Sequence, residues 1–343
     1  MIRRLYLSLF LLLLSLPLAA KEIALNPQHP QRYVVVKGDT LWDISGKFLK
    51  YPWHWPDIWY VNPQIKNPHL IYPGDILSLV YRNGKPRLEL TRGTRTVKLS
   101  PKVREEMLDK PIPTIPLSVI APFLTKPRVV GEEVLKSAPY IVASSDERLL
   151  SGAGDKVYVR GVKGSKGKEY SVFHGGKVYK DPDTGEVLGY EAIYTGEGHI
   201  VATGDPATFR LDQTSREVQV GDRLLPVHED DYNVNFLPRP PKQKISGRII
   251  SVFDGVSQVG QYQIVVLNRG KRNGLEAGNV LSVYQAGEVV KDPVTANPED
   301  TVTLPDEHAG EAMVFKVFNK VSYAVIMKAT RALHVDDKVK SPL

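Results

Sequence analysis

The feature that most constrains the fold is a repeat in the C-terminal two thirds of the chain. Three blocks occur twice in the same order, and the members of each pair share their apolar alternation and their turn residues. Such a repeat indicates duplication of a unit of about 100 residues. The paired blocks are KVYVRG ending at Gly161 and IVVLNRG ending at Gly270, YSVFHGGKVYKDP (170–182) and LSVYQAGEVVKDP (281–293), and REVQVGDRLLP (216–226) and RALHVDDKVKSP (331–342).

Both copies have the composition of antiparallel β structure. Val, Tyr, Ile and Phe alternate with polar residues, and Gly, Asp-Pro and Asn-Gly interrupt the alternation. Each copy is therefore expected to form a mostly antiparallel barrel or sandwich. We place the first β domain at residues 129–231 and the second at 242–343, with the proline-rich segment NFLPRPPKQK between them.

The N-terminus has the pattern of a secretory signal peptide. Arg3 and Arg4 precede an apolar run over residues 5–14, and small residues follow. The run is shorter than the roughly 20 residues that a membrane-spanning helix needs. We expect residues 1–20 to be removed near Ala20, with no transmembrane segment left afterwards.

The sequence contains no cysteine. A lipid-modified cysteine, structural disulfides and thiolate chemistry are therefore excluded. An exported protein without disulfides is more typical of a bacterial envelope than of animal secretion. We expect a periplasmic protein that is not a lipoprotein.

Residues 33–80 contain three blocks that predict a small α+β unit. YVVVKGDTLWDIS combines a strand, a glycine turn and the start of a helix whose apolar residues Leu41, Ile44 and Phe48 recur at helical spacing. A second helix is expected from Pro56, and YPGDILSLV predicts a Pro-Gly turn before a closing strand. The expected order is strand, helix, helix, strand.

These blocks, YVVVKGDTLWDIS, WYVNPQI and NPHLIYPGDIL, resemble the LysM family of carbohydrate-binding modules in order and spacing. The resemblance implies a βααβ fold that binds N-acetylglucosamine glycans, chiefly peptidoglycan and chitin. With the repeat, the arrangement is similar to that of bacterial periplasmic LysM proteins with a β-rich C-terminal half. We therefore expect a multidomain α+β chain, with a LysM module at residues 31–81 followed by two tandem, duplicated, mostly antiparallel β domains.

The resemblance also implies a shallow glycan groove between two loops. Backbone N–H and C=O groups of such loops can bind an N-acetyl group, while Leu41 and either Leu70 or Ile71 would cover its methyl and the apolar sugar face. The expected glycan-binding residues are Gly38, Asp39, Thr40 and Leu41 in the first loop, and Pro68, His69, Leu70, Ile71 and Tyr72 in the second.

All four tryptophans, Trp42, Trp53, Trp55 and Trp59, lie inside this one module. Two interpretations stay open from the sequence. Trp53 and Trp55 could form a stacking surface for sugar rings, or the large side chains could compensate for the limited core of a very small domain.

Residues 82–128 are basic and proline-rich and are expected to form a linker. Its segment KPIPTIP should be extended and semi-rigid. The basic residues could contact anionic wall polymer, but we favour the interpretation that they keep the linker solvated. A formal net charge of +7 over 343 residues is far from a nucleic-acid-binding pattern, so no nucleic acid partner is expected.

The residues that could carry chemistry do not predict an enzyme. The sequence has no cysteine nucleophile and neither a His-Glu-x-x-His nor a His-x-His motif, and its Ser-x-x-Lys at residues 165–168 lies in a polar glycine-lysine loop. Two acidic clusters with a histidine, VHEDD (227–231) and LPDEHAGE (304–311), are interpreted as solvated turns. We expect no catalytic residue, no metal and no cofactor.

Together these features predict a non-catalytic peptidoglycan-binding protein of the bacterial cell envelope. The LysM groove would hold the glycan, and the tandem β domains would position the protein or bind a protein partner that the sequence does not identify. A cell-wall hydrolase, or an activator of one, is the alternative.

Overall fold

The computed structural model describes residues 23–59, 70–92, 111–125, 128–145, 149–227, 237–253, 259–295, 297 and 299–342. The expected signal peptide, Pro68, His69 and residues 228–231 of the VHEDD cluster lie outside the described residues. The chain divides into two compact units, residues 1–37 with 43–111 and residues 38–42 with 112–343. No helix within the described ranges is long and apolar enough to cross a membrane.

The N-terminal module has the predicted order of strand, helix, helix and strand, followed by a third strand. Ile44 and Phe48 of its first helix are fully buried, as the helical spacing of the apolar residues predicts. Its elements are strand β1 (Arg32–Val34), helix α1 (Leu41–Phe48), a 3-10 turn (Pro52–His54), helix α2 (Trp55–Ile58), and strands β2 (Ile76–Arg82) and β3 (Lys85–Thr91).

The sheet of this module has the order β1-β2-β3 and is antiparallel throughout. Asn83 and Gly84 form the two-residue turn between β2 and β3, with φ of 53° and 72°. Positive φ at both central positions is the geometry that Asn-Gly turns favour in tight hairpins. The sheet therefore continues to residue 91, into the range 82–128 that the sequence analysis assigned to a linker.

The second unit is mostly β structure with two short helices. Its elements before residue 228 are helices α3 (Leu117–Thr125) and α4 (Glu132–Ser137), and strands β4 (Arg128–Val130), β5 (Tyr140–Ser144), β6 (Leu150–Ser151), β7 (Lys156–Arg160), β8 (Glu169–Lys180), β9 (Val187–Ala202), β10 (Ala207–Thr214), β11 (Val218–Gln219) and β12 (Arg223–Pro226).

Six of these strands close into a first barrel. Neighbouring strands are antiparallel in the ring order β5-β7-β10-β9-β8-β12, and β12 returns to β5 through the pair Arg223 and Tyr140. Strand β4 adds to the outer part of β9. Alternate side chains point inward, because successive residues of a strand face opposite sides, and Val157, Val159 and Phe209 are among those that fill the interior.

A second barrel follows, with its own apolar core. Its ring order is β13-β14-β19-β18-β15-β20, which is the order of the first barrel when the six strands of each are numbered along the chain. Its strands, with the outlying ribbon β16–β17, are β13 (Ser246–Val252), β14 (Ile264–Leu267), β15 (Val280–Gln285), β16 (Val289–Lys291), β17 (Thr301–Thr303), β18 (Glu307–Val317), β19 (Ser322–Ala329) and β20 (Lys338–Lys340).

The two barrels also match in local hydrogen bonding. In each, the turn before the last strand has a residue with positive φ, Gly221 in one and Asp336 in the other, and exchanges two backbone bonds with the first strand. The bonds are Ile141 N–H to Asp222 O (2.9 Å) and Gly221 N–H to Ile141 O (2.8 Å), and Ile249 N–H to Asp337 O (2.9 Å) and Asp336 N–H to Ile249 O (2.8 Å). The sequence analysis left barrel or sandwich open, and the structure has barrels.

Helix α3, also within the range predicted to be a linker, packs on the second barrel. Lys316 Nζ donates to the carbonyls of Phe123 (3.3 Å) and Leu124 (2.7 Å) at the end of the helix. A cation at this end is favourable because the last carbonyls of a helix carry partial negative charge. The ring of Phe123 contacts that of Phe253 edge to face, with centroids 5.0 Å apart.

Candidate functional site

The first expected glycan loop is a tight turn that leads into helix α1. Gly38 has φ of 100°, a conformation that residues with a Cβ adopt only with strain. Thr40 and Leu41 are both buried, so their side chains have little surface to offer a ligand. The expectation that the Leu41 side chain covers an acetyl methyl is therefore wrong in this structure, because the leucine belongs to the core.

The backbone donors of this turn already have acceptors. Leu41 N–H donates to the carbonyl of Pro113 (2.9 Å), and Trp42 N–H donates to the carbonyl of Thr114 (3.1 Å). These are first-turn N–H groups of α1, which have no partner inside the helix. Residues 112–115, which belong to the same compact unit as residues 38–42, accept these bonds, and we call them the PIPTIP segment after the sequence around them.

The PIPTIP segment is held by burial as well as by these bonds. Ile112, Thr114 and Ile115 are all buried, with Ile115 only 1% exposed. Residues 111–116 contain no helix or strand, and the sequence analysis expected extended backbone here. It did not predict that the carbonyls would bond to the turn of the module, because the two segments are about 70 residues apart and no spacing rule connects them.

The second expected loop is described from Leu70 onward. Tyr72 N–H donates to Asp75 Oδ2 (2.9 Å), and Arg92 donates to the carbonyl of Leu70 (3.0 Å). The Arg92 guanidinium also lies over the Tyr72 ring, 5.2 Å from its centroid, and forms an ion pair with the buried Asp75. Arg92 and Asp75 therefore fix the shape of this loop.

Sequence reasoning missed Arg92 and Asp75 as supports of the loop. Arg92 follows the third strand, in a basic stretch whose charge was interpreted as solvating a linker. Of the loop side chains, Ile71 is only 1% exposed and belongs to the core, so the expectation that it meets a sugar is wrong. Leu70 is half-buried, and it remains the apolar side chain of this loop that a sugar face could meet.

The tryptophans form core. Trp53 and Trp55 are 3% and 2% exposed, so neither ring has a free face for a sugar. Trp55 stacks on Trp59, with ring centroids 4.8 Å apart. The expected stacking role of Trp53 and Trp55 is therefore corrected, because a small domain has buried these rings to build its core.

Metal-ligand clusters of three or more side chains are absent among the described residues. His54 is buried, and its Nδ1 lies 2.6 Å from Asp57 Oδ2. That hydrogen bond joins neighbouring turns of the module.

Comparison with known proteins identifies the module. The LysM domain family matches residues 33–80. The uncharacterized protein YqbP of Bacillus subtilis (strain 168) is 42% identical over 60 residues, which cover 15% of this chain and 27% of the relative. The match thus spans about a quarter of the relative's length. LysM domains generally bind peptidoglycan and related N-acetylglucosamine glycans, and this chain is a LysM-domain protein whose LysM domain lies at residues 33–80.

Proposed function

We propose that this chain is a non-catalytic binder of peptidoglycan in the bacterial cell envelope. The LysM domain at residues 33–80 is the observation that carries the proposal. The N-terminal sequence, with its basic pair and short apolar run, supports export to the periplasm. The two barrels, which share one ring order, would have arisen by duplication and would serve as a platform that positions the domain or binds a protein partner.

In the first glycan loop, the carbonyl of a sugar N-acetyl group would replace a backbone carbonyl that now accepts a hydrogen bond from the loop. The N-acetyl group of a sugar carries a carbonyl of the same chemical type as those of Pro113 and Thr114, which accept from Leu41 and Trp42. A glycan that uses these two donors must therefore displace the PIPTIP segment. Because hydrogen bonds are replaced in kind, the exchange leaves no buried N–H without a partner.

Sedimentation with insoluble peptidoglycan tests the proposal. Leu70→Asp places a carboxylate where an apolar sugar face would lie, and its desolvation would have no compensating partner. We expect this variant to stay in the supernatant while the wild type pellets. Leu149→Asp, the same substitution at a residue that is 88% exposed beside strand β6, is the matched control and should still pellet.

Thermal melts of both variants accompany the binding assay. If Leu70→Asp melts with the wild type and still pellets fully, the loop from Leu70 to Tyr72 does not bind the glycan. If even the wild type fails to pellet, the proposed function is wrong.

Displacement of the PIPTIP segment has its own test. Ile115→Asp introduces a charge at a buried position and should release the segment from the turn. Removal of an internal competitor should tighten binding to soluble chitooligomers by roughly tenfold. Unchanged or weaker binding by a folded Ile115→Asp protein would show that the glycan does not use the Leu41 and Trp42 donors.

A second candidate, a wall hydrolase, is favoured by one observation. Glu311 is buried, its Oε2 has no hydrogen-bond partner, and burial raises the pKa of its carboxyl above the ordinary value. A raised carboxyl pKa favours the protonated form, which is the form that a general acid requires. His308 Nε2 lies 3.5 Å from its Oε1. Release of soluble muropeptides that Glu311→Gln abolishes would establish this activity in place of the first proposal.

A further inference from the structure

The first barrel extends an arm onto the second barrel. The arm is the distal part of the β8–β9 hairpin, residues 178–190, which we call the first arm. Glu186 at its tip forms a bidentate pair with Arg272 (2.8 and 2.7 Å) and an ion pair with Lys320 (2.7 Å). Asp183 pairs with Arg248 at 2.9 Å. The first arm thus presents acidic side chains to basic side chains of the second barrel.

Apolar and buried polar contacts reinforce this docking. Tyr179 and Leu188 of the first arm are buried, although they lie on a hairpin that projects from its own barrel. Asp181 is buried as well and accepts from Arg269 (3.1 Å) and from the side chain of Asn268 (3.2 Å). The pKa of the Glu186 carboxyl falls to about 2, because Arg272 and Lys320 donate hydrogen bonds to it.

The docking surface of the second barrel is a basic loop after strand β14. We define the second basic loop as residues 269–272, which read RGKR. Its two arginines, Arg269 and Arg272, form ion pairs with Asp181 and Glu186 of the first arm. Lys320, from the β18–β19 turn, completes the basic surface and also donates to the carbonyl of Val187 (3.0 Å).

The second barrel has an equivalent arm that is uncovered. Residues 287–295, 297 and 299–305, the second arm, occupy the position between β15 and β18 that the first arm occupies between β8 and β9. The blocks KVYKDP and EVVKDP lead into the two arms. In the second arm, strands β16 and β17 pair only with each other among the described strands, and every residue in them is exposed.

The exposed side chains of the second arm are unusually apolar. Val289, Val290, Val294, Val302 and Leu304 are all exposed, with Val294 at 88%. An isolated two-stranded ribbon is marginally stable in water, and a concentration of exposed apolar side chains marks an interaction surface. Its acidic residues, Glu288, Asp292, Glu299 and Asp300, carry the same sign of charge as the acidic residues of the first arm.

The first barrel in turn has an uncovered basic loop. Strand β7, the equivalent of β14, ends in the sequence RGVKGSKGK, residues 160–168, which we call the first basic loop. Arg160, Lys163, Lys166 and Lys168 are all exposed. Arg160 pairs with Asp205 at 3.1 Å, and the three lysines leave the loop positively charged.

We propose that the second arm of one molecule docks on the first basic loop of a second copy of this chain. The contact would repeat between molecules the arm-to-loop contact that joins the two barrels within one molecule. Within the part of the chain that the structure describes, the arm of the second barrel and the basic loop of the first barrel are both exposed. Such a contact joins different surfaces of the two partners, so it leads to head-to-tail assemblies, which are rings if the rotation closes and open chains if it does not.

Charge reversal in matched pairs tests the proposal. Protein that comprises residues 21–343 would be examined by sedimentation velocity at ~1 to 100 μM and low salt. We expect the average mass to rise with concentration and to fall when salt screens the charges. Glu299→Lys with Asp300→Lys on the arm, or Lys163→Glu with Lys166→Glu on the loop, should weaken association by tenfold or more, since like charges then face each other.

Mixing the two reversed proteins is the decisive measurement. The arm of each protein is then complementary to the loop of the other, so the mixture should form assemblies in which the two proteins alternate, although each protein alone is monomeric. Lys244→Glu, an exposed reversal outside both surfaces, is the control and should associate like the wild type. A wild type that is monomeric at every concentration overturns the proposal. So does a dimer that persists in both reversed proteins.

Discussion

The two barrels share a ring order and differ in what their hairpins do. In both, six strands close in the same sequence of neighbours around separate apolar cores. The first arm is packed against a basic loop, whereas the second arm is exposed. Equivalent parts of one topology therefore have different environments.

This difference shows which parts of the barrel fold can vary. Residues of the ring are constrained from inside, because each inward side chain fills space shared with several strands. An arm beyond the ring has no such constraint, so its sequence can be fitted to a partner surface. The docked arm reads KDPDTGE, and the exposed one is longer, with KDPVTANPED at the equivalent place.

The largest effect should come from the core of the first barrel. Phe209→Ala removes a fully buried ring and should lower the free energy of unfolding by about 3–5 kcal/mol. Because the two cores share no residue, the transition of the second barrel in a calorimetric scan should move much less. Val294→Ala, on the exposed arm, should change stability by no more than about 0.5 kcal/mol. Equal shifts of both transitions would contradict the picture of two separate cores.

The next effect should come from the arm-to-loop contact. Arg269→Ala leaves the buried Asp181 without its cationic partner and should cost about 1–3 kcal/mol in urea unfolding. Arg239→Ala is the comparison, since Arg239 and Glu276 form an exposed pair whose loss should cost at most about 1 kcal/mol. A cost for Arg269→Ala no greater than that of Arg239→Ala would mean that the first arm is only loosely docked.

Substitutions in the two equivalent turns, at Gly221 and at Asp336, should have smaller and different effects on stability. Gly221→Ala forces a Cβ into a backbone with φ of 96° and should destabilise the first barrel by about 1–2 kcal/mol, although space for the methyl group exists. Asp336 has φ of 74° at the equivalent position. Asp336→Gly should change stability by less than about 0.5 kcal/mol, because relief of strain opposes the greater freedom of glycine in the unfolded chain. If denaturant titrations give the same loss of unfolding free energy for Gly221→Ala and Asp336→Gly, the two turns are not equivalent.

The smallest effect is a pH dependence of the docked arm. Because the folded-state pKa of Glu186 is about 2, below the ordinary 4.5, its ion pairs stabilise the arm fully above about pH 4.5. That contribution is lost as the pH falls towards 2. Amide exchange of residues 178–190 should therefore speed up in acid, and Glu186→Gln should remove most of this change. If amide exchange in the Glu186→Gln variant depends on pH as it does in the wild type, Glu186 is not the cause of the pH dependence.

The sequence predicted local structure in the barrels better than their closure. The three repeated blocks correspond to β7 and β14, β8 and β15, and β12 and β20, because alternation and turn residues are local properties. Ring closure depends on a pairing between distant strands, such as Arg223 with Tyr140, and nothing in the local pattern encodes it.

The order of strands and helices in the LysM module was predicted correctly, but the end of the module was placed too early. Leu41, Ile44 and Phe48 are buried as expected, but composition obscured the hairpin at Asn83 and Gly84. The Asn-Gly pair is a strong local turn pattern, and the basic, proline-containing neighbourhood suggested a linker instead. The surroundings of Leu41 could not be predicted, because the carbonyls that its backbone meets come from a remote part of the chain.

The hydrogen bonds from Leu41 and Trp42 to the PIPTIP segment set a minimum local concentration that any ligand needs before it can use the same two donors. A tethered competitor acts at a local concentration on the order of millimolar, whatever the dilution of the protein. Short sugar fragments at lower concentrations would therefore bind only weakly. A polymer that presents many equivalent sugars side by side exceeds that concentration, so the module would bind intact wall more strongly than its breakdown products.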